Sequence, residues 1–260
     1  MGAVRVMPER AAALVSVVVL TAMAYLLAKP AVGQPLRYAG FGVPSLKLVC
    51  CALVASLALI VPVISLEAVA LLRFKVPQEV IDALDRLIAA KTVPELIYVL
   101  FIAALGATLS EEFVFRGILQ RSLESRLAGW AAILITAIIF ALLHTIWRVP
   151  PALVLGIFLG VLYWRTRSLV LPMVAHFTIN TVSILALFVT ERQGEAVMPA
   201  WIRDERPAPW WMILGSLAVF VAAFRVVWRE GRPAAAAAAA GASRHETLAP
   251  GEQPPDIPLQ

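Results

Sequence analysis

The chain has 260 residues, of which 61% are hydrophobic and only 15% charged. A soluble globular domain is nearer half apolar and a quarter charged, so the composition excludes an ordinary soluble fold and directs the reading to membrane spans. The net charge of +5 comes with no basic stripe interleaved with aromatics, which excludes nucleic acid as the expected partner and points to basic loops beside lipid headgroups.

A span needs roughly 20 predominantly apolar residues, and seven segments meet or approach that length. The first, about 11–28, follows Arg5 and Arg10 and reads as an uncleaved anchor, because LLAKPAVGQ offers no small-x-small cleavage site. The second, about 46–72, contains Cys50 and Cys51, neighbours that form neither a disulfide framework nor a metal spacing. In the following RFKVPQEVIDALDRLIAAKTV, Val80, Ile81, Leu84, Leu87 and Ile88 repeat at helical spacing beside Glu79, Asp82, Asp85 and Arg86. That pattern predicts an amphipathic helix lying at the membrane interface.

The third span opens at Pro94, a favourable first-turn residue, and is expected to stay helical as far as Arg126. The fourth is about 129–147, followed by a tight RVPP turn and a short fifth span, 152–164. RTRS leads into the sixth, 169–189, and the seventh is about 209–227. Beyond Gly231 the chain turns Ala-, Pro- and Gly-rich and is expected to be a disordered tail, 231–260. Lys and Arg are shared almost equally between alternate loops, so charge does not orient the chain.

The expected fold is therefore all-α: a polytopic bundle of about seven transmembrane helices plus one interfacial amphipathic helix. It divides into N-terminal helices and connector, 1–93, a core, 94–190, a C-terminal helix, 191–230, and the tail.

Ionisable groups inside a span cost at least ~2.5–3.5 kcal/mol each and are functional candidates by default. The candidates are Glu67, Glu111, Glu112, Arg116, His144 and His176. Glu112 and Arg116 are four apart and can neutralise each other on one helix face. Glu111 lies ~140° from Arg116 at 100° per residue and is not explained by that pair. His144 follows Phe140 by four residues, and His176 precedes Asn180 by four, so each pair shares a face. Glu67, with Arg73 six residues on, reads as a snorkelling or pairing group.

Depth brings the others together. Counting 1.5 Å per residue from a turn near 127–129 puts Glu111 and His144 ~24 Å away and His176 ~21 Å away, nearer the face that carries RVPP. Such a set suits hydrolysis. Glu111 can act as general base, His176 and Asn180 as donors to an oxyanion, and His144 can orient water or protonate a leaving amine. Glu111, His144 and His176 equally make a three-ligand zinc set with an open position.

Read in order, EEFVFR at 111–116, FALLH at 140–144 and HFTIN at 176–180 resemble the motifs of the type II CAAX prenyl endopeptidases and their bacterial relatives, the CPBP intramembrane proteases. Those motifs are E-E-x-x-x-R, F-x-x-x-H and H-x-x-x-N. The resemblance covers the core and implies a helical intramembrane protease whose cavity opens to the cytosolic side. It gives Glu111 the water, His144 an assisting role and His176 with Asn180 the oxyanion, with Glu112, Arg116 and Phe140 in support. The family is described both as a metalloprotease and as a metal-independent glutamate protease. No cofactor is expected on the glutamate route, and zinc is the alternative.

Expected partners are membrane lipid and a C-terminal or membrane-anchored peptide or protein. The expected location is a bacterial plasma membrane, multi-pass. The chain's own end, DIPLQ, lacks a prenylation cysteine. Two rivals stand beside the protease: a non-catalytic scaffold or bacteriocin-immunity protein on the same fold, and a transporter. The second predicts internal repeats, which the sequence does not show.

Overall fold

Apolar runs marked as spans fold into long helices whose ends are set by identifiable residues. The computed structural model describes residues 3–204 and 206–231, with the side chains of 3–14, 16, 17, 20 and 195 outside that description. Every regular element among the described residues is helical. α1 is Ala3–Val32, α2 Pro35–Ala39, α3 Leu46–Phe74 and α4 Gln78–Ile88. A continuous helical run, α5, covers Val93–Glu124, then come α6, Gly129–Leu142, α7, Val149–Thr166, and α8, Val170–Gln193. The short α9, Ala200–Arg203, precedes α10, Trp210–Glu230.

Ser45 caps α3 by accepting from the Leu48 amide at 3.4 Å, and Lys75 ends it in the left-handed conformation, φ 49°. Thr92 caps α5 through the Glu95 amide, while Glu95 Oε2 accepts the Lys91 amide at 2.8 Å. Hydroxyl caps of this kind satisfy amides that the first turn leaves orphaned. Two stretches of α5, Leu100–Gly106 and Phe113–Gln120, are π-helical.

Five described helices are long and apolar enough to cross a membrane: α3, α5, α7 with its lead-in from Ile146, α8 and α10. Of the seven expected spans, the described residues show five in that form. The predicted first span falls within α1, and most side chains of its first half lie outside the described residues. The predicted fourth span, 129–147, ends instead at Leu142 after 14 residues. There the imidazole of His144 bonds the Phe140 carbonyl at 2.9 Å, and the His144 amide turns to Ala141 at 3.0 Å. A side chain has taken the carbonyl that the helix would have used, and the last turn tightens.

RVPP is not the turn. Pro150 and Pro151 lie in the first turn of α7, where a missing amide costs nothing. The chain reverses earlier, through Leu143–Thr145 and a 3-10 turn, Ile146–Arg148. The amphipathic helix forms as α4, with none of its residues buried. The predicted tail, beyond Gly231, lies outside the described residues.

The main core joins α3, α7, α8 and α10 through Leu59, Leu159, Leu171, Ala175 and Val227 among others. α6 packs on α7 at very close range, because Gly156 and Gly160 present no side chain. A Cβ on Gly156 would stand 3.1 Å from the Ala137 backbone, and one on Gly160 3.1 Å from Ile133. Small residues four apart are a usual way for membrane helices to approach. The outer faces keep Leu134, Ile138, Leu142, Trp210 and Leu214 exposed. In water so large an apolar surface would aggregate; against lipid it is ordinary.

Candidate active site

The site grows from one turn of α5. Glu112 and Arg116 are both fully out of solvent, and Arg116 Nη1 donates to Glu112 Oε1 at 2.9 Å. Arg116 Nη2 donates to the Gly156 carbonyl at 3.2 Å, and the guanidinium carbon lies 4.8 Å from the centre of the Phe140 ring. A buried charge needs this many partners to be tolerated. One turn further, Gln120 repeats the device by donating to the Gly160 carbonyl at 3.0 Å.

Glu112 also holds His176. The Nδ1–H of that ring donates to the same Oε1 at 2.7 Å, which leaves Nε2 on the Glu111 side, 3.8 Å from Glu111 Oε2. A carboxylate on one ring nitrogen fixes the tautomer and the orientation of the other. The adjacent glutamates thus meet opposite sides of one imidazole, on the stretch where α5 passes from α- to π-helical geometry. π-turns recur at functional sites because they re-aim side chains within a helix.

Glu111 is a third exposed, whereas Glu112 is sealed. His144 was expected inside a helix and is found just past the end of α6. Its Nδ1–H donates to the Phe140 carbonyl and its ring packs 4.7 Å from that of Phe140. Phe140 itself sits edge-on to Phe115, with ring centres 5.2 Å apart. Asn180 lies one turn beyond His176 on α8, half-buried, and its carboxamide has no protein partner among the described residues.

Glu111, His144, His176 and Asn180 line one cavity of about 280 Å³. Glu111 and His144 also line a second, about 320 Å³, completed by Ser110, Val114, Phe115, Phe140 and Leu143. All seven residues singled out by the motifs are therefore neighbours in space. Two others belong with them. Glu67 lines the first cavity and accepts from Arg148 Nε at 3.0 Å, so its partner is Arg148 rather than Arg73. Arg148 carried no signal in the sequence, where it is one basic residue in a short loop.

Among the described residues no three His, Cys, Asp or Glu side chains are placed to hold a metal ion. Both histidines spend Nδ1 on protein acceptors, Phe140 and Glu112, which leaves Nε2 of each ring for the cavity.

Residues 93–182 match the family model described as type II CAAX prenyl endopeptidase Rce1-like. The core of this chain is similar to that family over this segment. All three motifs of the Rce1-like core fall inside the matched segment. The family is one of CAAX-type intramembrane proteases, and with five long apolar helices the chain is an integral, multi-pass membrane protein. Similarity extends to an uncharacterized 24.3 kDa protein of Escherichia coli, 29% identical over 108 residues. That match covers 39% of this chain and 50% of the relative, so it spans about half of the relative's length. No solved structure matches the chain.

Proposed function

We propose that the Rce1-like core is an intramembrane endopeptidase that hydrolyses a peptide bond of a membrane-anchored or C-terminal peptide substrate in a bacterial plasma membrane. The observation that carries this reading is the shared cavity: one partly exposed carboxylate, two oriented imidazoles and a carboxamide unpartnered among the described residues, brought in by α5, the α6–α7 connection and α8.

Water bound between Glu111 and His144 gives its proton to Glu111 as its oxygen attacks the carbonyl carbon. His144 spends Nδ1–H on Phe140, so Nε2 of the neutral ring is an acceptor suited to orienting that water. With His176 doubly protonated, Glu111, Glu112, Arg116 and His176 carry no net charge together. Its Nε2–H and the Asn180 amide then donate to the oxyanion. The tetrahedral intermediate collapses with cleavage of the C–N bond, and the proton held on Glu111 passes to the departing amine. Every step uses side chains of the chain itself, and no metal is required.

The test compares protein termini in membranes of the native host carrying wild type or Glu111→Ala at equal expression. Specific ends that vanish in the variant establish the protease and name its substrates. If the two sets match while Glu111→Ala still rescues a deletion phenotype, the scaffold or immunity reading replaces it.

A further inference from the structure

Two arginine–glutamate pairs stand close to this site, and they are built differently. In the first, Glu112 and Arg116 are sealed, and both Nη nitrogens of Arg116 are spent on Glu112 and the Gly156 carbonyl. The second, Glu67 and Arg148, joins α3 to the turn that carries His144. Its side chains keep 28% and 41% of their surface exposed. Arg148 engages Glu67 through Nε alone, at 3.0 Å, and neither Nη has a protein partner among the described residues. Arg148 is also the single Lys or Arg among the described residues lining the cavity that holds Glu111, His144, His176 and Asn180.

A sealed pair braces helices. An open pair, with two parallel N–H donors unspent in a cavity whose remaining walls are largely aliphatic, is a vacant fork. A guanidinium offers five donors, and a planar carboxylate matches two of them side by side. We propose that Arg148 is a carboxylate-binding subsite of this cavity, with Glu67 as the resident counter-ion that keeps the guanidinium extended and partly neutralised. The proposal rests on the proteolytic reading above and deepens it: Arg148 selects substrates that place a carboxylate a short, fixed distance from the scissile bond. That carboxylate is either the terminal one or an Asp or Glu side chain. Because Glu67 competes for the same guanidinium, removing its charge strengthens binding, whereas a purely structural latch would weaken when either partner is changed.

The experiment uses the full chain carrying Glu111→Gln in lipid nanodiscs. Three pools of random decapeptides are offered, and retained peptide is read by mass spectrometry. One pool is free of Asp and Glu with a free C-terminus, the second is the same pool amidated, and the third is amidated with one internal Asp. Retention of the free-acid pool, the Asp pool or both at about tenfold over the amidated acid-free pool is expected, the scale of one charge-assisted bidentate contact. The pool retained identifies the source of the carboxylate.

Arg148→Gln is expected to erase the preference, Arg148→Lys to keep part of it, and Glu67→Gln to increase it, with melting temperatures near that of the parent. Equal retention of all pools, no retention, a preference that survives Arg148→Gln, or parallel loss in Arg148→Gln and Glu67→Gln would each overturn the subsite. Wild-type protein incubated with the same pools separates the two readings. Carboxylate-blind hydrolysis leaves the protease standing without the subsite; carboxylate-selective retention without hydrolysis does the reverse.

Discussion

His176 Nδ1 lies 2.7 Å from Glu112 Oε1, the same oxygen that Arg116 engages at 2.9 Å. One carboxylate therefore braces α5 and aims a ring on α8. Arg116→Met leaves Glu112 buried without its cation and is expected to lower stability by about 3–5 kcal/mol. Adding Glu112→Gln should restore part of that loss, because the uncompensated charge is gone. Thermal unfolding in detergent of the single and double variants reads the difference; a double variant less stable than Arg116→Met would refute it.

Glu111 and Asn180 face the cavity and are expected to carry rate without carrying fold. Glu111→Gln should slow cleavage by about 10²–10⁴, the usual scale of a general base. Asn180→Ala should slow it by about 10²–10³, the scale of one oxyanion donor. Neither should move the melting temperature appreciably, since the Asn180 carboxamide has no protein partner among the described residues. Single-turnover cleavage of a substrate found through the terminome comparison, beside melting curves, checks both. Full activity in either variant would remove that residue from the mechanism.

Gly160 sits where α7 meets both α6 and Gln120. A Cβ there would lie 3.0 Å from Gln120 Oε1 and 3.1 Å from Ile133, so Gly160→Ala is expected to cost about 1–3 kcal/mol through overpacking. Gly215 in α10 has nothing within 4 Å of the same position. There, Gly215→Ala should be neutral or stabilising by about 0.4–1 kcal/mol, by restricting the unfolded chain. Paired unfolding measurements decide between close approach and helix propensity as the governing effect at each glycine.

Cleavage should survive removal of divalent metals. Extensive dialysis against a chelator is expected to leave Glu111-dependent proteolysis unchanged, since each proton transfer proposed above is assigned to a side chain. Loss of activity that added zinc restores would instead assign Glu111 and Nε2 of His144 and His176 to a metal.

By itself the sequence determined the helical class, the membrane setting and the identity of the polar set. Those properties are local: hydropathy sums along a run, capping residues act within a turn, and motif spacing of four fixes a shared helix face. It also foretold the Glu112–Arg116 brace, an i,i+4 contact. Only the tertiary structure decided that His176 hangs on Glu112, 64 residues away, and that Glu67 finds Arg148, 81 residues away. A side chain's partner across the bundle depends on how helices pack and rotate, which no periodicity encodes. The early end of α6 is a second case. Hydropathy continues past Leu142, yet the His144 imidazole takes the Phe140 carbonyl and stops the helix. The competition of one ring nitrogen with the backbone is worth about as much as a single hydrogen bond, and it is decided by where that ring can pack.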